Sequence, residues 1–288
     1  TNGLVHLTAM AGRLGITIDL IKFDEITKNL PMIVDLKPSG TGYMEDLYKA
    51  GGSQRIFYEL KDFLYLDAKS VNGTTLGEEI KNSAKWTQNI ITDKSNPVFN
   101  AGSIAVLKGT LAPYSAIIKQ SAATESLLIH EGRAVVFEGL EDLANRIDRD
   151  DLDVTKDDVL VLKSIGPKGG PGMPEAGLIP IPKKLAKQGV KDMVRISDGR
   201  MSGTASGTII LHVTPESYEN GPLAIVENGD LIKLDVPKRK IDLMISEEEI
   251  AERLLKRKEL SIRRRGYNKI YMEHVTQADR GVDFDFLI

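Results

Sequence analysis

Two glycine-rich loops carry the reactive side chains of this sequence. In VRISDGRMSGTASGTIILHV, Val194 to Val213, an apolar run gives way to Asp198, Arg200, Ser202 and Thr204 set among glycines, and a second apolar run follows. Turning a corner takes two or three residues; this connection spends about ten, the habit of a functional loop. Small hydroxyls among glycines also serve as turn-makers, and on this segment alone that use stands beside a chemical one. The second loop, SIGPKGGPGMPEAG from Ser164 to Gly177, follows the apolar VLVLK and holds Lys168 and Glu175. Its glycines let backbone approach a ligand closely, and its prolines keep the loop from collapsing into a flexible coil. Glu175 is the carboxylate in that bare setting and a candidate ligand for a hard cation; a mobile surface connection is the alternative. No Gly-Lys-Ser/Thr triplet leads into a helix, so the loop is not a phosphate-binding P-loop. The two loops line one pocket if the strands they leave are neighbours.

The elements that must hold these loops divide near residue 96. Residues 1–95 have α/β texture: a first helix patterned on Leu4, Leu7, Ala11 and Leu14 and ending at Gly15, a helical FDEITKNL before Pro31, a strand-like MIVDL, and YMEDLYKAGG, whose glycines suit a helix C-cap. From residue 96 to 288 short β runs dominate: 104–107, 116–119, 134–137, 159–164, 193–197, 208–213, 224–226, 231–236 and 241–245. So many strands with few helices predict a β-barrel or mixed β layer. Two helices are expected among them, IPKKLAKQGV and SEEEIAERLLKRKEL, the second opening on Ser246 and Glu249 in capping-box spacing.

At 288 residues, 41% hydrophobic and 27% charged, the chain has the composition of a globular protein of two modest domains. No apolar run reaches the length of a membrane span. A formal charge of −3 gives no reason to expect nucleic acid or an anionic membrane as partner. The basic run KRKELSIRRRG lacks interleaved aromatics and reads as a solvated helix end. Cysteine is absent, which removes disulfides and any thiolate-ligated metal site built from this chain alone. The opening TNGLVHLTAMAGRLG has neither a basic leader nor a cleavage site, so the cytoplasm is the expected compartment. It also lacks Met while a helical pattern is already under way, as in a piece of something longer.

Together, GPKGGPGMPEAG, ISDGRMSGTASGTIILHVTPES, NGPLAIVENGD, LKPSGTGYMEDLYKAGG and the opening TNGLVHL resemble the dihydroxy-acid and sugar-acid dehydratase family along the whole chain. The segments MPEAGLIPIPKKLAKQGVKDMVRISD and RGYNKIYMEHVTQADRGVDFDFL look like the branch acting on aldonic acids. The resemblance implies an α/β protein: the tail of an α/β domain over 1–95, then a swivelling β/β/α mixed β-barrel domain over 96–288. It implies conversion of a 2,3-dihydroxy acid to a 2-keto-3-deoxy acid with Mg²⁺ and an iron–sulfur cluster of 2Fe-2S type, in a homo-oligomer. Ser202 falls on the family's base at C2, Glu175 on its Mg²⁺ ligand, and Thr204 on a hydroxyl lining the substrate pocket. Proton removal beside a carboxylate builds charge on an anion, so a cation is needed there, and a hydroxyl acts as base only where nearby positive charge favours its ionised form. The branched-chain amino acid branch has Thr where Ser197 stands, and its later hydroxyl falls on Ala205 rather than Thr204.

The cluster cysteines and remaining Mg²⁺ ligands of the family belong to an N-terminal half that would be this chain's partner, and the fragment alone is expected to be inactive. The competing readings are the dihydroxy-acid dehydratase of branched-chain amino acid synthesis and a non-catalytic sugar-acid binding module; a decayed site would have lost Ser202 or Glu175, and both are present. His6 is expected in the core, His274 is expected to pack near the terminus, and Trp86 and the methionines are expected in core or interface.

Overall fold

A computed structural model describes residues 1–81, 83, 88–175, 179–203, 205–257 and 265–288. Contacts group the chain into two compact units, Thr1–Asp24 with Ile104–Ile288, and Glu25–Ser103. The change of texture near residue 96 lies close to the second boundary. The first boundary leaves the N-terminal helix with the barrel, whereas the sequence pattern places all of 1–95 together.

Helix α1 (Asn2–Gly12) buries Leu4, Val5 and Thr8. Its expected apolar stripe is therefore displaced: Leu7 and Leu14 are exposed, and so is His6, which is not a core histidine. The cause is spacing, because positions i, i+1 and i+4 share one face of a 3.6-residue helix as readily as i and i+3. The first segment ends within helix α2 (Leu20–Thr27), at Asp24, whose buried carboxylate is fastened to the barrel by accepting from Val106 N at 3.0 Å and Arg239 Nε at 2.8 Å. In the Glu25–Ser103 unit, α3 (Met44–Lys49) and α4 (Gly52–Glu59) pack Leu47 and Ile56 on a small core of Ile33, Ala50 and Ile91, and α5 (Leu76–Ile80) lies against α4. There the MIVDL run forms isolated bridges, Met32 to Phe99 and Val34 to Ile91.

The barrel unit is built from β1 (Ile104–Leu107), β2 (Ser115–Lys119), β3 (Ile129–Phe137), β4 (Val159–Leu162), β5 (Arg195–Ser197), β6 (Ile209–Thr214), β7 (Leu231–Asp235) and β8 (Lys240–Leu243). They form one eight-stranded sheet in the order β1-β2-β6-β5-β4-β3-β7-β8. The sheet nearly closes on itself: Lys108, just past β1, donates to Arg239 O at 3.0 Å and accepts from Ile241 N at 3.2 Å. Strands β3, β4, β5 and β6 run parallel, and the outer pairs are antiparallel. The protein is thus a mixed α/β structure around a barrel-like sheet.

Strand β4 shows why the sequence runs VLVL without a polar residue. Val159 and Val161 face the inner core with Leu107, Ile118, Val136 and Leu234, while Leu160 and Leu162 face an outer core with Phe137 and Leu143. Both faces are buried, so neither can be polar. Helix α6 (Leu140–Arg146) and the single turn α7 (Lys183–Ala186) cover the outer core. The sequence pattern predicts more helix over IPKKLAKQGV, but Gly189 at φ 90° lets the chain leave after that turn. The expected strand at 224–226 is instead the 3₁₀ turn Pro222–Ile225, since Pro222 has no N–H for a ladder and presets the φ of a turn. Helix α8 (Glu247–Lys256) begins as expected, with Glu249 N donating to Ser246 Oγ at 3.1 Å, and α9 (Tyr267–His274) follows. Most of the basic run, 258–264, lies outside the described residues, as does Trp86. Among the described residues no helix is long and apolar enough to cross a membrane.

Candidate active site

The two loops start side by side because β4 and β5 are parallel neighbours whose last paired residues are Leu162 and Ser197. Past that point they stay together: Glu175 and Arg200 form a parallel bridge. Gly199 permits the approach, since a Cβ there would sit 2.5 Å from Ile165 Cδ1. Each loop is also pinned from below. Ile165, Met173 and Met201 are buried, leaving Ser202 half-buried and Glu175 exposed beside them. Asp198, fully buried, accepts Ile165 N at 3.0 Å and Ser164 N at 3.2 Å across the gap, and Ser217 N at 2.9 Å. Burial raises the Asp198 pKa against the pull of those N–H groups.

A third element completes the arrangement. Asn2, in the first turn of α1, donates from Nδ2 to Glu175 Oε1 at 2.6 Å and to Met201 O at 3.2 Å. One amide therefore ties the Glu175 loop to the residue preceding Ser202. Its own Oδ1 is buried with no hydrogen-bond partner among the described residues. Arg200 donates from Nε to Met173 O, and its Nη1 lies 3.5 Å from His6 Nε2. From β2, Lys119 Nζ donates to Gly203 O at 2.9 Å, and burial lowers the Lys119 pKa below its ordinary value. The loop that carries Ser202 thus holds one cation of its own, Arg200, and receives a second, Lys119, from β2.

His212 sits beneath the same loop. The β2–β6 register slips between Ser115 and Ile117, so β6 carries a bulge there, and His212 adopts φ 54°. Bulges re-aim a side chain out of the strand's alternation and are common beside active sites. His212 N donates to Gly199 O at 3.1 Å, its ring is buried, and Nε2 has no partner among the described residues. Burial, with nearby positive charge including Arg200, lowers its pKa to about 3, so the ring is neutral at ordinary pH.

The structure therefore brings Glu175 and the Ser202 loop together, while Thr204 lies outside the described residues. Asn2, Lys119 and His212 are additions that the sequence reasoning did not single out. His212 leaves a trace in the sequence as the lone polar residue in the apolar run IILHV, whereas Lys119, followed by Gln120 and Ser121, reads as an ordinary strand end. His274 packs at the terminus, with Nδ1 2.9 Å from Asp285 Oδ1 and its ring edge-on to Phe286.

Glu175 and the buried Asn2 Oδ1, without a hydrogen-bond partner among the described residues, are adjacent hard oxygen donors, which suits part of a Mg²⁺ site. Among the described residues no group of three or more acidic or histidine side chains forms a complete cage. An iron–sulfur cluster does not fit this chain, which has no thiolate to hold one.

Residues 89–282 match the model of the dihydroxy-acid/6-phosphogluconate dehydratase C-terminal region, and residues 1–79 match the N-terminal model of the same family. The chain belongs to the dihydroxy-acid/6-phosphogluconate dehydratase family. Over its full length it is 45% identical to an L-arabinonate dehydratase of Rhizobium leguminosarum bv. trifolii and 43% identical to an L-arabonate dehydratase of Azospirillum brasilense. Over 99% of its length it is 40% identical to a dihydroxy-acid dehydratase of Carboxydothermus hydrogenoformans. The alignments cover 50%, 51% and 51% of those proteins, so the chain spans about half the length of the curated relatives it matches. In this family member the two matched regions meet at the site, since Asn2 lies in one and Glu175 and Ser202 in the other.

Proposed function

We propose that this chain supplies the base-bearing half of a hydro-lyase that converts a 2,3-dihydroxy sugar acid to a 2-keto-3-deoxy acid. Ser202 Oγ accepts the proton from C2. The C3–O bond then breaks, the departing hydroxide takes a proton to leave as water, and the resulting enol becomes the 2-keto acid. Arg200 and Lys119 favour the alkoxide form of Ser202 by placing positive charge beside its loop. Glu175, with Asn2 Oδ1 beside it, would hold Mg²⁺, which would supply positive charge for the substrate carboxylate and the C2 hydroxyl. Thr204 is assigned to substrate positioning. The iron–sulfur cluster, the remaining Mg²⁺ ligands and the homo-oligomeric assembly belong to the complete enzyme.

One observation carries this reading: in a chain of this family, the Glu175 loop is bridged to the Ser202 loop and locked to it by Asn2. The higher identity to the two pentonate dehydratases than to the dihydroxy-acid dehydratase favours an aldonic acid as substrate. The test is keto-acid formation by the full-length, anaerobically purified protein, offered aldonic acids of five and six carbons and branched-chain 2,3-dihydroxy acids. Turnover fastest on an aldonic acid supports the proposal. Preference for a branched-chain dihydroxy acid transfers the protein to the amino acid branch, and binding without turnover by cluster-loaded protein reduces it to a binding module.

A further inference from the structure

Behind the Glu175 loop lies a carboxylate for which the reaction as proposed has no use. Glu216, two residues past β6, is fully buried. Lys168 N donates to both its oxygens at 3.0 Å, Gly169 N donates to Oε2 at 3.1 Å, and Gln277 Nε2 donates to Oε1 at 2.7 Å. Its backbone N in turn donates to Gln277 Oε1 at 2.8 Å, so the side chain and the C-terminal segment are fixed to each other. Gly166 leaves the room, since a Cβ there would stand 2.7 Å from Glu216 Oε2. Tyr271 of α9 grips the same loop further on: its hydroxyl donates to Pro167 O at 2.8 Å and accepts from Gly172 N at 2.7 Å.

A buried carboxylate without a cation is costly, and among the described residues Glu216 makes no ion pair. Lys168 turns its ammonium to Glu219 instead. The other charge facing Glu216 is the buried carboxylate of Asp198, which is repulsive. A neutral amide would avoid that cost but cannot replace the carboxylate, because both oxygens receive N–H donors and an amide offers only one oxygen. The glycine loop closes two turns of its own, Gly170 N to Gly166 O at 2.8 Å and Met173 N to Gly170 O at 2.6 Å, and the carboxylate takes the Lys168 and Gly169 amides that those turns leave unused.

We propose that Glu216 is a positioning residue whose carboxylate gathers the Lys168 and Gly169 amides and so sets the path of the loop that delivers Glu175. Burial first, then Asp198, raises the Glu216 pKa to about 7 against the N–H groups that favour the anion, so the clasp is drawn tight only as pH rises through neutrality. The consequence has two opposite signs. A carboxyl whose folded pKa is raised contributes stability that is present at low pH and lost as pH rises through about 7. Order in the loop moves the other way, since the anion is the better acceptor. A side chain that merely filled space would move neither quantity.

This inference rests on Glu175 holding the divalent cation, and the experiment separates the two. Hydrogen exchange of the amides in 164–172, corrected for intrinsic rate, is followed in the full-length wild-type protein from pH 6 to 8, and Mg²⁺ affinity is measured calorimetrically in the same range. Protection of Lys168 and Gly169 should rise through neutrality, with Mg²⁺ binding tightening in step. Glu216→Gln should flatten both curves and weaken Mg²⁺ binding on the order of tenfold, as loss of outer-shell support does. If that variant does not fold, Tyr271→Phe loosens the same loop from its other side and should weaken Mg²⁺ binding severalfold. Protection independent of pH in the wild type, or Mg²⁺ affinity unchanged in Glu216→Gln or, failing that, Tyr271→Phe, overturns the proposal. If Glu175→Gln binds Mg²⁺ as the wild type does, the metal assignment itself fails, whatever Glu216 does to the loop.

Discussion

Lys119 offers the most direct test of how Ser202 becomes a base. Its ammonium lies 2.9 Å from the carbonyl of Gly203, the residue following Ser202. Adjacent Cα atoms are about 3.8 Å apart, so one residue of separation allows roughly 3–10 Å between that charge and the Ser202 hydroxyl, with about 6 Å as its midpoint. At an effective dielectric constant of about 20, a unit charge at about 6 Å is worth about 3 kcal/mol, or about two pKa units of the serine. Lys119→Met keeps the length of the side chain and removes the charge. In the full-length enzyme at saturating Mg²⁺, kcat/KM for keto-acid formation should fall about 100-fold, and the pH at which activity develops should move up by about two units. Lys119→Arg should restore most of the rate. Because burial lowers the Lys119 pKa, wild-type activity should decline at alkaline pH where the ammonium loses its proton, and Lys119→Arg should extend the plateau. The reasoning is refuted if Lys119→Met stays within about threefold of wild type with an unmoved pH profile, since that is far below the ~100-fold that charge removal requires.

Ser202→Ala should lower kcat by about 10²- to 10⁴-fold while iron, sulfide and Mg²⁺ contents stay at wild-type levels by elemental analysis. Glu175→Gln replaces a charged ligand with a neutral one, so calorimetry should show weaker Mg²⁺ binding as its primary defect. Asp192→Asn should cost about 3–5 kcal/mol of stability by denaturant titration, since it breaks a buried pair with Arg195 Nη2 at 2.7 Å and disturbs bonds from Thr208 N and Thr124 Oγ1. Burial raises the Asp192 pKa, but the Thr124 and Thr208 hydroxyls and Arg195 outweigh it and leave the value lowered, so its contribution is present above the ordinary carboxylate range and lost as pH falls.

Much of the barrel is legible in the sequence because strands buried on both faces must be apolar throughout. The runs that become β1 and β4 stand out for that reason, β7 shows the alternation of a strand with one exposed face, and Ser246 announces α8 by a local bond to Glu249. The glycine loops are legible too, since close approach of Gly199 to Ile165 and of Gly166 to Glu216 excludes any larger residue. What escapes is pairing at long range. Asn2 meets Glu175 across 173 positions, Lys119 meets Gly203 across 84, and Lys168 meets Glu216 across 48, and no periodicity links such partners. His6 misleads for the opposite reason: its helical phase admits a buried or an exposed face, and packing of Leu4 and Val5 selects the exposed one.

The length of the Ser202 loop has a topological cause that its residue types conceal. Strands β5 and β6 are parallel, pairing Arg195 with Ile209 and Ile196 with Ile210. A chain leaving Ser197 must therefore travel back to the starting end of β5 before β6 can begin, and a hairpin cannot do that; a parallel connection takes about a dozen residues. The contacts trace the journey. Gly199 still sits at the far end, accepting from His212 N, while Gly207 has returned to Arg195, where a Cβ would lie 2.1 Å from Nη2. Most parallel connections spend this distance on a helix, which satisfies its own backbone. Here glycines and small hydroxyls span it, with Asn2 and Lys119 taking the carbonyls of Met201 and Gly203 on either side of Ser202. The crossover demands the length, and leaving it non-helical keeps the Ser202 hydroxyl at its midpoint among supports drawn from α1 and β2.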